Sequence, residues 1–193
     1  MQNIIIMKEE IFQCLEVVKR GGIILYPTDT VWGIGCDATN EEAVKKIYDL
    51  KKRADNKSML VLADSMDLVF GYATKIPDIA QQLVELTDKP LTIIYPSSRG
   101  LASNLTGENG SIGIRVCADL FSKELIKKMR RPLVSTSANI SGEPTPAIFD
   151  EIADEIKNGV DYVVKHRQSD KTKASPSSII KFTEKGEIEI IRK

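Results

Sequence analysis

Residues 21–45 read GGIILYPTDTVWGIGCDATNEEAVK, and this stretch decides the fold class. Ile23–Tyr26 is a short apolar run closed by Pro27, which reads as a buried strand. PTDTVWGIG (27–35) reads as the loop after it. Thr39-Asn40-Glu41-Glu42 then fits a capping box for a helix over about 40–53. Buried strand, polar loop and capped helix in direct succession are the building unit of α/β proteins.

The pattern repeats outward from this stretch. Upstream, Ile11, Leu15 and Val18 share one helical face over 8–20, with Phe12 beside them, and Gly21-Gly22 stop the helix. Downstream, 59–63, 91–96, 111–116 and 132–137 read as strands, and 76–87, 120–130 and about 147–157 as helices. DYVVK, SSIIKF and EIEIIR read as three short closing strands, the last two a hairpin around 183–186. The expectation is one α/β domain over residues 1–193: a twisted mixed sheet, largely parallel, flanked by helices.

Composition narrows the function. At about 150 residues per domain, a length of 193 fits one domain with a full core. Lys plus Arg and Asp plus Glu are 27 each, which argues against a surface that binds polyanions everywhere. The neutrality is nevertheless segregated: residues 45–57 carry six cations against two anions, 123–131 five against one, and 165–173 four against one. His166 is the single histidine, and Cys14, Cys36 and Cys117 are scattered, so neither a zinc set nor a disulfide framework is expected. Any Ser-His-Asp or Cys-His mechanism would have to use His166, which lies in a polar stretch. No apolar run approaches the roughly 20 residues of a membrane span, and the N-terminus lacks a signal-peptide pattern. A cytoplasmic protein without membrane contact is the expectation.

Several clusters carry chemistry, each beside an ordinary reading. Gly33-Ile34-Gly35-Cys36-Asp37-Ala38 matches G-x-G-x-x-A, but Ala38 precedes the helix cap, so a tight loop explains the glycines better than a dinucleotide site. No Walker loop is present. Lys51, Arg53 and Lys57 complement a helix C-terminus, or bind phosphate and carboxylate at a strand end. Ser135-Thr136-Ser137-Ala138-Asn139 follows a buried strand directly; such residues form turns, or line a cradle for phosphate, ribose or adenine. Thr28 and Thr30 form an ordinary turn or project hydroxyls at a strand end. Arg115 sits in a strand, facing solvent or a polar site. Together these are anion holders and hydrogen-bond donors without an obvious general base, which suits a nucleophile that is already anionic.

The ordered runs YPTDTVWGIGCDA, KKRADNKSM, KPLT, SIGIRV, STSANISGEPTP and SPSSIIKF resemble the YrdC-like family over roughly residues 8–192. That family includes threonylcarbamoyl-AMP synthases, which are nucleotidyltransferases of tRNA modification. The sequence departs from the usual pattern at Trp32, Ala54, Ser58, Asp88, Lys89 and Cys117, mostly backbone or packing positions.

The resemblance implies a reaction of L-threonine, bicarbonate and ATP that gives threonylcarbamoyl-AMP and diphosphate. Tasks follow for individual residues. Lys51, Arg53 and Lys57 would meet the triphosphate and carboxylate anions, and Thr28 and Thr30 the threonine or carbamate. Arg115 would take the threonine carboxylate or carbamate, and Ser135, Ser137 and Asn139 the AMP moiety and its bridge to the carbamate. Ser111, Thr145, Ser178 and Arg192 are further candidates near the nucleotide. Mg²⁺ would accompany ATP without a dedicated protein site. Expected partners are tRNA-modifying proteins and tRNA or double-stranded RNA. The alternative is an RNA-binding or translation-associated module with the same fold and no synthase activity.

Overall fold

The computed structural model describes residues 2–53, 58–107, 109–183 and 187–193. Helix α1 (Gln2–Lys19) begins earlier than the apolar spacing suggested. It buries Ile11, Cys14, Leu15 and Val18, while Phe12 is 58% exposed rather than part of that face. Gly21, at φ +73°, turns the chain into β1 (Ile24–Tyr26), whose three residues are fully buried.

The expected loop 27–35 ends in a strand, β2 (Gly33–Gly35), which returns antiparallel on β1. Two glycines carry no strand propensity, so the signal was invisible in sequence. They are needed for close approach: a Cβ on Gly35 would lie 2.5 Å from the Val134 carbonyl and 2.7 Å from the Tyr26 ring. The G-x-G-x-x-A motif is therefore strand, not a phosphate-binding helix start. Helix α2 (Glu41–Lys51) is capped by Asn40, whose Oδ1 accepts from the Ala43 N–H at 3.0 Å.

The remaining elements are β3 (Leu60–Ala63), α3 (Met66–Tyr72), β4 (Ala73–Thr74), α4 (Ile79–Leu86), β5 (Leu91–Tyr95) and β6 (Ser97–Ser98), followed by β7 (Ile112–Val116), α5 (Leu120–Met129) and β8 (Leu133–Ser137). A 3₁₀ turn (Phe149–Glu151) and α6 (Asp154–Gly159) divide the helix expected over 147–157. Then come β9 (Tyr162–Val163), β10 (Ser178–Phe182) and β11 (Ile188–Arg192). Helix α3, capped by Ser65, and the two-residue pair β4–β6 had no expectation.

The main sheet runs β11-β10-β5-β7-β3-β8-β2-β1-β9. It is mixed, and the closing hairpin β10–β11 is antiparallel as expected. Parallel pairs are β10–β5, β3–β7 and β1–β9; the other five are antiparallel, so the parallel share is smaller than strand–helix alternation suggested. The reason is local. The chain from β5 to β7 crosses a Ser/Asn/Gly segment without a helix, and β2 follows β1 within one turn, so neither makes a right-handed crossover. One apolar cluster runs through the molecule from Met7 to Phe182.

Candidate active site

A cleft of about 310 Å³ opens over one face of the sheet. Side chains alternate along a strand, so every second residue shares a face. Thr92 and Ile94 of β5, Gly113 and Arg115 of β7, and Ser135 and Ser137 of β8 thereby meet in the cleft. Thr30–Gly33, Arg53, Ser58, Ser111, Thr145, Pro176, Ser177 and Arg192 complete the lining with their neighbours. Three arginines and many hydroxyls face this space. Among the described residues that line it there is no carboxylate, histidine, lysine or cysteine.

Each cation is held differently. Arg115, only 3% exposed, has its Nη2 3.0 Å from Asp29 Oδ1. Its buried Nε–H has no hydrogen-bond partner among the described residues. Arg192 donates Nε–H to the Ser177 carbonyl at 2.8 Å; partial burial and then Arg115 push its pKa down. Arg53 donates to the Ser58 carbonyl at 2.8 Å, and burial lowers its pKa. Lys51 is 2% exposed and donates to the carbonyls of Ser137 and Asn139. Burial, followed by the charge of Arg53, lowers Lys51 to about 8. The Lys51 carbonyl also accepts from the Ser141 N–H at 2.8 Å, which ties the end of α2 to the loop after β8.

Of the residues singled out in sequence, the structure brings Thr30, Arg53, Ser111, Arg115, Ser135, Ser137, Thr145 and Arg192 together around the cleft. Four others do not line it. Thr28 spends its hydroxyl inside its own turn, donating to the Val31 carbonyl at 2.7 Å and accepting from the Thr30 N–H at 3.0 Å. Lys51 reaches instead to the carbonyls of Ser137, at the end of β8, and of Asn139 just beyond it. Asn139 donates to the carbonyls of Ile140 and Glu143, shaping the loop. Ser178 falls on the other face of β10 because strand alternation gives the cleft Ser177 and Ile179. Lys57 and Ala54 lie outside the described residues.

Thr92, Ser177 and Trp32 were missed. Thr92 and Ser177 bond hydroxyl to hydroxyl at 2.8 Å, and Trp32 packs its ring 4.8 Å from Phe149. Thr92 and Ser177 could have been found by continuing the period-two pattern along β5 and into β10. His166 stacks on Phe121 at 5.8 Å, away from the cleft. Cys117 is buried and donates its thiol to the Ala63 carbonyl, a packing role.

Fold and site together define an α/β protein with a cationic, hydroxyl-rimmed cleft. A family model for Sua5, YciO and YrdC, described as "Telomere recombination", matches residues 16–193. The chain belongs to this Sua5/YciO/YrdC family. It is 35% identical over 146 residues to a threonylcarbamoyl-AMP synthase of Pseudoalteromonas atlantica, covering 72% of this chain and 76% of that protein. P. abyssi Sua5 complexed with L-threonine superposes with a TM-score of 0.80 at 27% identity, over 90% of this chain and 51% of that one. E. coli YciO shares the fold, with a TM-score of 0.78 at 23% identity over 95% of this chain and 88% of that one. The chain spans about half the length of the Sua5 structure.

Proposed function

We propose that this chain is a nucleotidyltransferase that joins L-threonine, bicarbonate and ATP into threonylcarbamoyl-AMP and releases diphosphate. The product would serve threonylcarbamoylation of tRNA adenosine-37 by other proteins. The observation that carries this reading is the cleft itself: Arg53, Arg115 and Arg192 with a rim of hydroxyls and, among the described residues, no lining carboxylate, in a chain 35% identical to a named synthase. Threonine amine and bicarbonate give a carbamate anion and water. The carbamate oxygen attacks the α-phosphorus, and the bond from that phosphorus to the bridging oxygen breaks, leaving its electrons on diphosphate. The nucleophile is already anionic, so the protein's task is to hold it beside a polyanion and neutralise charge, which arginines do.

In this reading Arg115 takes the amino-acid carboxylate through its free donors, with Thr30 beside it. Arg53 meets the phosphates. Ser135 and Ser137 lie between the two halves, with Ser111, Thr145 and Arg192 toward the nucleotide. Lys51 acts from outside the cleft lining by fixing the carbonyls of Ser137 and Asn139. Mg²⁺ would enter with the ATP phosphates, as their counter-ion. No helix is long and apolar enough to cross a membrane among the described residues, and the three cysteines are free and buried, which supports a cytoplasmic setting. The deciding experiment incubates the protein with ATP and bicarbonate, with and without threonine, and measures diphosphate. Threonine-dependent release is expected. RNA binding without such release would favour the RNA-binding module instead.

A further inference from the structure

We propose that Asp29 and Arg167, neither of which lines the cleft, are positioning residues for Arg115 and thereby for the amino-acid substrate. This rests on the synthase reading of the cleft. Asp29 Oδ1 stands 3.0 Å from Arg115 Nη2, and the side chains of both are buried, 8% and 3% exposed. The other carboxylate oxygen of Asp29 accepts from the Ala118 N–H at 3.0 Å. The Ala118 N–H anchors one oxygen of the carboxylate, and the other, Oδ1, which has no hydrogen-bond partner among the described residues, faces the guanidinium as an ion pair rather than an aligned hydrogen bond. One side of the Arg115 fork is thus occupied by the protein, while its Nε–H is buried without a partner among the described residues. A buried donor left unpaired is costly unless a ligand uses it.

Asp29 is itself held from both sides. Before it, the Thr28 carbonyl accepts from Arg167 Nη1 at 3.0 Å. After it, the Thr30 N–H bonds to Thr28 Oγ1 at 3.0 Å. Arg167 sits in a left-handed conformation, φ +65°, which strains a non-glycine residue. Its Nε and Nη2 reach Asp170 Oδ2 at 3.3 and 3.2 Å, and Asp170 Oδ1 accepts from the Thr172 N–H at 2.9 Å. Orientation is passed from the segment 167–172 through the Thr28 carbonyl to Asp29, and from Asp29 to the arginine in the cleft. The chemistry selected is an α-amino-acid carboxylate, because a pinned guanidinium edge recognises a planar anion at fixed angle.

The test compares the wild type with Asp29→Asn, Arg167→Met and Arg167→Lys. Threonine is varied at saturating ATP and bicarbonate, ATP is then varied at saturating threonine, and threonine affinity is measured in parallel by calorimetry. Asp29→Asn should raise the threonine KM about tenfold, and Arg167→Met about threefold, while the ATP KM stays within about twofold. Arg167→Lys, which keeps a cationic donor, should recover part of the Arg167→Met loss. An unchanged threonine KM and affinity in Asp29→Asn, or equal losses for both substrates together with a fall in Tm, would overturn the proposal. If Asp29→Asn does not fold, Arg167→Met decides, since that side chain is 37% exposed. A wild type that binds threonine without releasing diphosphate would overturn the synthase reading, and the calorimetric comparison would then decide the positioning roles. A wild type that does not bind threonine would overturn both.

Discussion

Two buried cations are held in unlike ways: Lys51, beside the end of β8 and outside the cleft lining, and Arg115, which lines the cleft from β7. Lys51 donates to two neutral carbonyls. Arg115 faces the carboxylate of Asp29. Neutral oxygens orient an ammonium without cancelling its charge, so burial and neighbouring Arg53 lower Lys51 to about 8. A guanidinium does not deprotonate in proteins, and beside a carboxylate it is a fixed cation. Lys51 therefore titrates from outside the cleft, whereas Arg115 lines it beside a carboxylate.

The sharpest break of this contrast is Arg115→Ala. It removes the fixed cation and leaves Asp29 buried without its partner. We expect kcat/KM for threonine to fall about 10²–10³-fold, read from steady-state diphosphate release. Lys51→Met should cost less activity, about tenfold, but more of the loop's order. It takes the ammonium from both carbonyls; Ser137 still accepts from the Asn139 N–H at 2.9 Å, so the cost of about 1–3 kcal/mol for an acceptor left unpaired falls on Asn139. A thermal melt checks this, and an unchanged Tm would mean that the brace carries no stability.

The pH response has opposite signs for stability and turnover. The folded pKa of Lys51, about 8, lies below its unfolded value of about 10.4, so the unfolded chain holds the extra proton between them. The stability contribution of Lys51 therefore rises from pH about 8 toward about 10.4, while turnover falls as the ammonium that orders Ser137 is lost. Chemical denaturation across that window, with Lys51→Met as the flat control, separates the two. The smallest effect is expected for Ser177→Ala, about threefold in the ATP KM, because Arg192 keeps its bond to the Ser177 backbone carbonyl.

The alternating elements were legible because apolar runs and caps report burial and helix starts directly. Strand β2 was not, since Gly33 and Gly35 are chosen for contact with strands far away in sequence. The same limit governs the site. Arg53, Arg115 and Ser137 could be read as candidates because cations and hydroxyls at strand ends stand out against apolar neighbours. That Thr28 turns inward, and that Ser177 replaces Ser178 in the cleft, depends on which way one residue faces. A single step along β10 decides that, and composition carries no trace of it. The role of Asp29 needed three-dimensional contact, for its partners Arg115 and Ala118 lie more than eighty residues away.

Arg192 brings one wall of the cleft from β11, the outermost strand, whose five residues are all exposed. Edge strands open locally at far lower free energy than the whole domain unfolds. The cleft can thus lose a wall by fraying while the strands that carry Arg115 and Ser137 stay paired. Amide hydrogen exchange should show β11 exchanging well before β7 and β8. A bound nucleotide that touches Arg192 would slow β11 selectively, so that ligand and edge strand protect each other.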